Sequence, residues 1–133
     1  MKYKLSHKEL DVMQTLWASE KALSSTDFIQ INPALNPNTV QAALRTLLHK
    51  SYIRVTGMEQ HNKVFARTYL PCFTETDYMM EQFRESSIKT DAFFAALVEK
   101  EDMDTLDELE KIITRQKELL KNASLSSDLQ KKN

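Results

Sequence analysis

The chain has 133 residues and a mass of 15.4 kDa, with 41% hydrophobic and 28% charged residues, which fits one or two small globular domains. A single glycine, Gly57, and a single cysteine, Cys72, exclude a Walker loop or GxGxxG turn, an internal disulfide and any CxxC pair. The net charge of −1 argues at first against a polyanionic partner.

That sum hides a division. Residues 1–72 carry nine Lys/Arg against five Asp/Glu, together with all three histidines, whereas residues 73–133 carry nine against fourteen. A basic front half and an acidic back half is the asymmetry expected when only one part meets nucleic acid. No window approaches the roughly 18 apolar residues a membrane span needs, and Met1-Lys-Tyr-Lys-Leu-Ser-His-Lys-Glu is too charged for a secretory signal. The chain is therefore expected to be soluble and cytoplasmic, with no membrane partner, and the lone thiol suits a reducing compartment.

Ser6 followed by Glu9 is a capping box, flanked by Leu5 and Leu10 as a staple, and Leu10, Met13, Leu16 and Trp17 recur on one face. The spacing predicts a helix over 7–18. A second short helix is capped by Ser24 or Ser25, turns Phe28 and Ile29 inward and ends before Pro33. Asn36-Pro37 opens a third, because asparagine caps well and proline suits the first helical position. Val40, Leu44, Leu47 and Leu48 then form an amphipathic stripe to about Lys50.

The period next changes from helical to alternating. Tyr52-Ile-Arg-Val-Thr and Lys63-Val-Phe-Ala-Arg-Thr-Tyr-Leu predict a two-stranded hairpin, with Gly57 between them, Met58 to Asn62 as a loop and Pro71 closing it. Beyond Pro71 the pattern is helical. Thr74 with Asp77 caps a segment whose Tyr78, Met79 and Phe83 face inward, and Thr90 or Asp91 begins a short apolar helix. Asp104 or Thr105 begins the last helix, in which Leu106, Leu109, Ile112, Ile113, Gln116 and Leu120 make a near-heptad seam.

The expected fold is mainly α with a small β-hairpin: a winged helix-turn-helix over 1–72, a helical dimerisation domain over 73–121 and a polar, disordered tail over 122–133. In a winged helix the third helix enters the major groove and the hairpin lies along the phosphates. The helix face opposite the apolar stripe presents Asn38, Thr39, Gln41, Ala42, Arg45, Thr46 and His49. Asn and Gln can pair with adenine, Arg with guanine, and Ala or Thr methyls with the thymine methyl. On the wing, Arg54, Asn62, Lys63 and Arg67, with His61 at the tip, are the candidates for phosphate contact. The same residues would also suit an ordinary solvated helix and hairpin. Phe83, Phe93, Phe94, Leu97, Leu106, Leu109, Ile113 and Leu120 form an apolar set that needs a partner, in this chain or in a second copy.

These features resemble the penicillinase-repressor family of bacterial transcriptional repressors, with its methicillin-resistance and copper-responsive members. The resemblance covers residues 4–121 and rests on four stretches in order: Leu5-Ser-His-Lys-Glu-Leu-Asp-Val-Met-Gln-Thr-Leu-Trp, the helix opening at Asn36-Pro-Asn-Thr-Val, Arg67-Thr-Tyr-Leu-Pro, and Ala96-Leu-Val-Glu-Lys-Glu-Asp. It implies a homodimeric repressor on twofold-symmetric double-stranded DNA; no cofactor or metal is expected of this chain. It also implies an upstream sensor-protease pathway that cuts an Asn-Phe bond in the β-lactam members. Here that pair reads Ala96-Leu97, and the paired Cys-x-Cys motifs of the copper members are missing, Cys72 being alone. Ser51 stands where the family has a helix-ending glycine, Arg45-Thr46 reverses a common polar-Arg order, and the turn before Asn36 is about three residues short.

An enzyme has little support. His7, His49 and His61 fall on three elements, and no triad, His-Glu-x-x-His or zinc spacing joins them. A winged-helix module that binds protein rather than DNA remains the alternative, since a front half at +4 is only modestly basic.

Overall fold

The computed structural model describes residues 3–131, with the side chains of His61 and residues 127–131 outside the described set. It divides into two compact units, residues 1–87 and 88–133.

The first unit opens with α1 (His7–Ala18), whose N-cap Ser6 accepts from the Glu9 amide while Glu9 reaches back to the Ser6 N–H. A two-residue strand, β1 (Leu23–Ser24), leads into α2 (Ser25–Ile31), where Ser24 and Asp27 repeat the capping box. Then comes α3 (Pro37–His49), capped by the Asn36 side chain, which accepts from the amides of Asn38 and Thr39. Two long strands follow, β2 (Ile53–His61) and β3 (Val64–Pro71), and then α4 (Glu75–Glu85), capped by Thr74 with Asp77.

The core of this unit gathers Val12, Met13 and Leu16 of α1, Leu23 of β1, Phe28 of α2, Val40, Ala43, Leu44 and Leu47 of α3, Ile53 of β2 and Phe73. Leu48, expected inward, is half-buried, and Ala43 takes a place in the buried stripe. The sheet has three strands in the order β1-β3-β2, one more than the expected hairpin. Leu23 and Ser24 pair with Tyr69 and Thr68, a contact between distant segments that no local pattern announces.

The hairpin is also longer than expected. Residues 58–61 continue β2 in register, from Met58 opposite Arg67 to His61 opposite Val64. The turn is made by Asn62 and Lys63, with Asn62 at φ 57°, a left-handed conformation that asparagine tolerates. Gly57 sits within β2, beside an irregularity between Val55 and Gly57, rather than at a turn.

The boundary between units falls after Ser87 rather than after residue 72. The reason is packing: Phe73 is buried in the first core, Trp17 Nε1 donates to the Phe73 carbonyl (2.8 Å), and the Trp17 ring meets Tyr78 of α4 at 5.8 Å. Tyr78 and Phe83 are half-buried as expected, but Met79 is exposed.

The second unit holds α5 (Thr90–Val98) and α6 (Met103–Lys131). The N-cap of α5 is Lys89, without a side-chain bond. At the start of α6, Asp102 accepts from the Thr105 amide (2.8 Å), so the helix opens before the expected Asp104 or Thr105. The helix then runs to Lys131, through the stretch expected to be a disordered tail. Neither glycine nor proline occurs after Pro71, so no residue forces the local i to i−4 ladder to stop.

Candidate nucleic-acid interface

The burial pattern of α3 separates its two faces. Val40, Ala43, Leu44 and Leu47 are buried, whereas Asn38, Gln41, Ala42, Arg45, Thr46 and His49 are exposed and Thr39 is half-exposed. Asn38, Gln41, Arg45 and His49 follow one another at spacings of three and four, so they form one stripe along a helix about 20 Å long. The Thr46 hydroxyl donates to the Ala42 carbonyl (3.1 Å), leaving its oxygen to accept.

The end of α3 is fixed by backbone geometry. Ser51 takes φ 63°, the Tyr52 amide donates to the Leu47 carbonyl (2.9 Å), and the Ser51 amide donates to the Leu48 carbonyl (3.0 Å). This is a Schellman motif with serine in the position that glycine favours.

A groove lies on either side of the stripe. One, of about 350 Å³, is lined by Ser6, Lys8 and Glu9 of the α1 start and by Asn38, Thr39, Ala42 and Thr46 of α3. The other, of about 290 Å³, is lined by Ser25, Thr26 and Ile29 with Pro37 and Gln41. Lys8, Ser25 and Thr26 are additions that the sequence pattern did not place beside α3. Nothing local relates Lys8 to Asn38 or Thr46; only the crossing of α1 and α3 brings them together.

On the wing, Asn62 and Lys63 occupy the exposed tip. Arg54 pairs with Leu70 and Arg67 with Met58. Leu70 and Arg67 are three apart on β3 and therefore point to opposite faces, so Arg54 and Arg67 do as well. The four wing candidates thus do not form one cationic surface. His61 is a strand residue whose side chain lies outside the described residues.

Glu9, at the foot of the larger groove, is buried and holds Lys50, the residue that caps α3: Lys50 Nζ lies 2.8 Å from Glu9 Oε2. Burial alone would raise the Glu9 carboxyl, but hydrogen bonds from Lys50 and from Ser6, with the Lys50 charge, outweigh it and hold the group below its ordinary value.

The apolar set expected to form an interface is divided between the units. Phe83 belongs to α4 of the first. In the second, Phe93, Phe94 and Leu97 are 42%, 39% and 46% exposed, Ile113 and Leu120 are 40% and 61% exposed, and Leu106 and Leu109 are half-buried. No described side chain of residues 88–126 is buried.

Among the described residues no three His, Cys, Asp or Glu side chains gather where they could hold a metal ion, and no helix is long and apolar enough to cross a membrane.

Three helices, of which α2 and α3 form the helix-turn-helix, followed by a β-hairpin define a winged helix. A family model described as the penicillinase repressor matches residues 5–117. The chain belongs to the penicillinase repressor family. No curated protein matches it. Among solved structures it is similar to the adhesin competence repressor of Streptococcus pyogenes (16% identity, 90% of this chain and 83% of that chain, TM-score 0.42). It is also similar to PadR of Bacillus subtilis, solved in complex with operator DNA (12% identity, 84% and 73%, TM-score 0.44). A MarR family regulator from Neisseria meningitidis is a third (21% identity, 89% and 80%, TM-score 0.42).

Proposed function

We propose that the chain is a homodimeric transcriptional repressor that lays α3 in the major groove of a twofold-symmetric promoter operator. The observation that carries this is the exposed polar stripe of α3, held rigidly by a buried stripe on the same helix. Arg45 suits a bidentate bond to guanine, Asn38 and Gln41 suit adenine, and the Ala42 and Thr39 methyls suit the thymine methyl. Thr46 and His49 complete the face.

A helix in the major groove has a phosphate strand on either side. The two grooves beside α3 supply polar groups there: Ser6 and Lys8 on one flank, Ser25 and Thr26 on the other. Lys63 and Asn62, with one of Arg54 and Arg67, would follow the backbone farther out. Such contacts position the protein and make its affinity fall with salt.

Dimerisation is supported by the second unit, which leaves Phe93, Phe94, Leu97, Ile113 and Leu120 exposed. A nine-residue and a 29-residue helix that bury so little cannot offset their own ordering, whereas a second copy would cover the seam of Leu106, Leu109, Ile113 and Leu120. A repressor of this kind works in the cytoplasm. Ala96 and Leu97, which replace the family's cleaved pair, lie inside α5, and release by the sensor-protease pathway forms no part of this proposal.

The test is a gel-shift titration of the purified protein against DNA from its own upstream region, at two salt concentrations. A shift that resists excess random DNA and weakens steeply with salt supports an operator-binding repressor. A folded dimer that shifts no DNA at low salt would leave a protein-interaction module instead. Equilibrium sedimentation should give twice the 15.4 kDa chain mass, and the double variant Leu109→Glu, Ile113→Glu should give the chain mass alone.

A further inference from the structure

Residues 3–6 precede α1 and belong to no helix or strand, yet they contact α4 and the segments around Lys50, Tyr52 and Phe73. The Tyr3 amide donates to Glu81 Oε1 of α4 (2.6 Å), while its ring stacks on Phe73 at 3.9 Å and meets Tyr52 edge-on at 5.8 Å. The Lys4 amide donates to the Tyr52 hydroxyl (3.0 Å), and the Lys4 carbonyl accepts from Lys50 Nζ (3.0 Å). Leu5 packs against the core, and Ser6 caps α1.

A continuous set of contacts therefore runs from α4 through Tyr3 and Lys4 to Lys50, the residue that caps α3. The Tyr3–Glu81 bond is charge-assisted, which makes it both short and directional. Phe73, against which Tyr3 stacks, is buried, and its carbonyl is held by Trp17. Turning α4 away from this position would break the Glu81 bond and strip the ring stack from the chain that enters α4.

We infer that residues 3–6 are a strap that sets the direction of α4 relative to α3, with Tyr3, Glu81 and Lys50 as its positioning residues. The chain leaves α4 at Glu85 for the second unit. In a twofold DNA-binding protein, the direction in which each protomer leaves its winged helix determines which half-site spacing both copies of α3 can reach together. That consequence rests on the operator-binding reading above, whereas the strap itself can be measured without DNA.

Hydrogen–deuterium exchange on the full chain tests the strap. Tyr3→Ala and Glu81→Ala should speed exchange of the α4 amides at least about tenfold while α1 and α3 keep wild-type rates, as a local opening does. Glu81→Gln, which keeps an acceptor oxygen but loses the charge, should fall between wild type and Glu81→Ala. Unchanged α4 exchange in both alanine variants would overturn the strap. So would protection lost evenly over α1, α3 and α4, because that marks a general loss of fold.

The same proteins are then titrated on DNA footprinted with wild type. Tyr3→Ala and Glu81→Ala should bind a single half-site as wild type does, yet lose discrimination against one base pair inserted between half-sites. Wild-type discrimination in both variants would overturn the coupling of α4 to α3. A wild-type protein that binds no DNA would instead remove the operator reading, and the exchange rates would still decide the strap.

Discussion

Lys50 and Glu9 form a 2.8 Å salt bridge across 41 residues of sequence, joining the end of α3 to the first turn of α1. The same ammonium reaches the Lys4 carbonyl at 3.0 Å. Lys50→Met should cost roughly 1.5 kcal/mol, the low end for a hydrogen bond to a charged group, as read by urea unfolding.

The pair also sets a pH dependence. The Glu9 carboxyl is held below its ordinary value in the folded chain, so its contribution is complete above the unfolded value and disappears as pH falls through the lowered folded one. Wild type should therefore lose stability below about pH 5 more steeply than Glu9→Gln. Parallel curves from chemical denaturation across that range would remove Glu9 as the cause.

Ser51 is strained where a glycine would not be. At φ 63° a residue with a Cβ costs about 1–2 kcal/mol, of which glycine returns part to unfolded-chain entropy. Ser51→Gly should thus stabilise the first unit by up to about 1 kcal/mol. It should leave DNA affinity unchanged, since the Schellman bonds are backbone bonds. A urea midpoint shifted downward would contradict this.

Base readers and phosphate contacts should separate in competition titrations. Arg45→Ala should weaken specific binding by roughly 1–3 kcal/mol and relax the preference at one base position. Lys63→Ala should weaken all sequences alike and lower the salt slope by about one. Because Arg54 and Arg67 point to opposite faces of the wing, their alanine variants should differ, one lowering the slope and the other leaving it. Equal effects from both would mean that the wing meets DNA along its edge.

A fragment ending at residue 87 should fold as a monomer, and one ending at residue 72 should be less stable. The shorter fragment loses Phe73, whose burial is worth about 1.5–3 kcal/mol, and with it the Tyr3 stack and the Trp17 bond. Thermal melts of the two fragments check this.

Much of the fold is legible locally. The capping pairs Ser6–Glu9 and Thr74–Asp77, the Asn36-Pro37 opening and the buried Val40, Leu44 and Leu47 are where their spacing placed them. Ser51, read as a substitute for a helix-ending glycine, does adopt the left-handed conformation. Each of these depends on residues within about one or two helical turns, so the physics that creates them is contained in a short window. The family, too, could be named from four short stretches, and the model match over residues 5–117 agrees.

The rest depended on tertiary structure. The pairing of Leu23 and Ser24 with β3, the crossing that brings Lys8 beside Thr46, and the bonds Tyr3–Glu81 and Lys50–Glu9 join segments far apart in the chain. Composition and period cannot register such contacts, because their enthalpy appears only after loop closure has been offset by the whole core. The same reason moved the unit boundary from residue 72 to Ser87: α4 reads as one more amphipathic helix, and only its packing against Phe73, Trp17 and Tyr3 assigns it to the winged helix. Which residues of α3 stay exposed was thus written in its period, while the scaffold that holds them was decided by contacts that exist only in the folded chain.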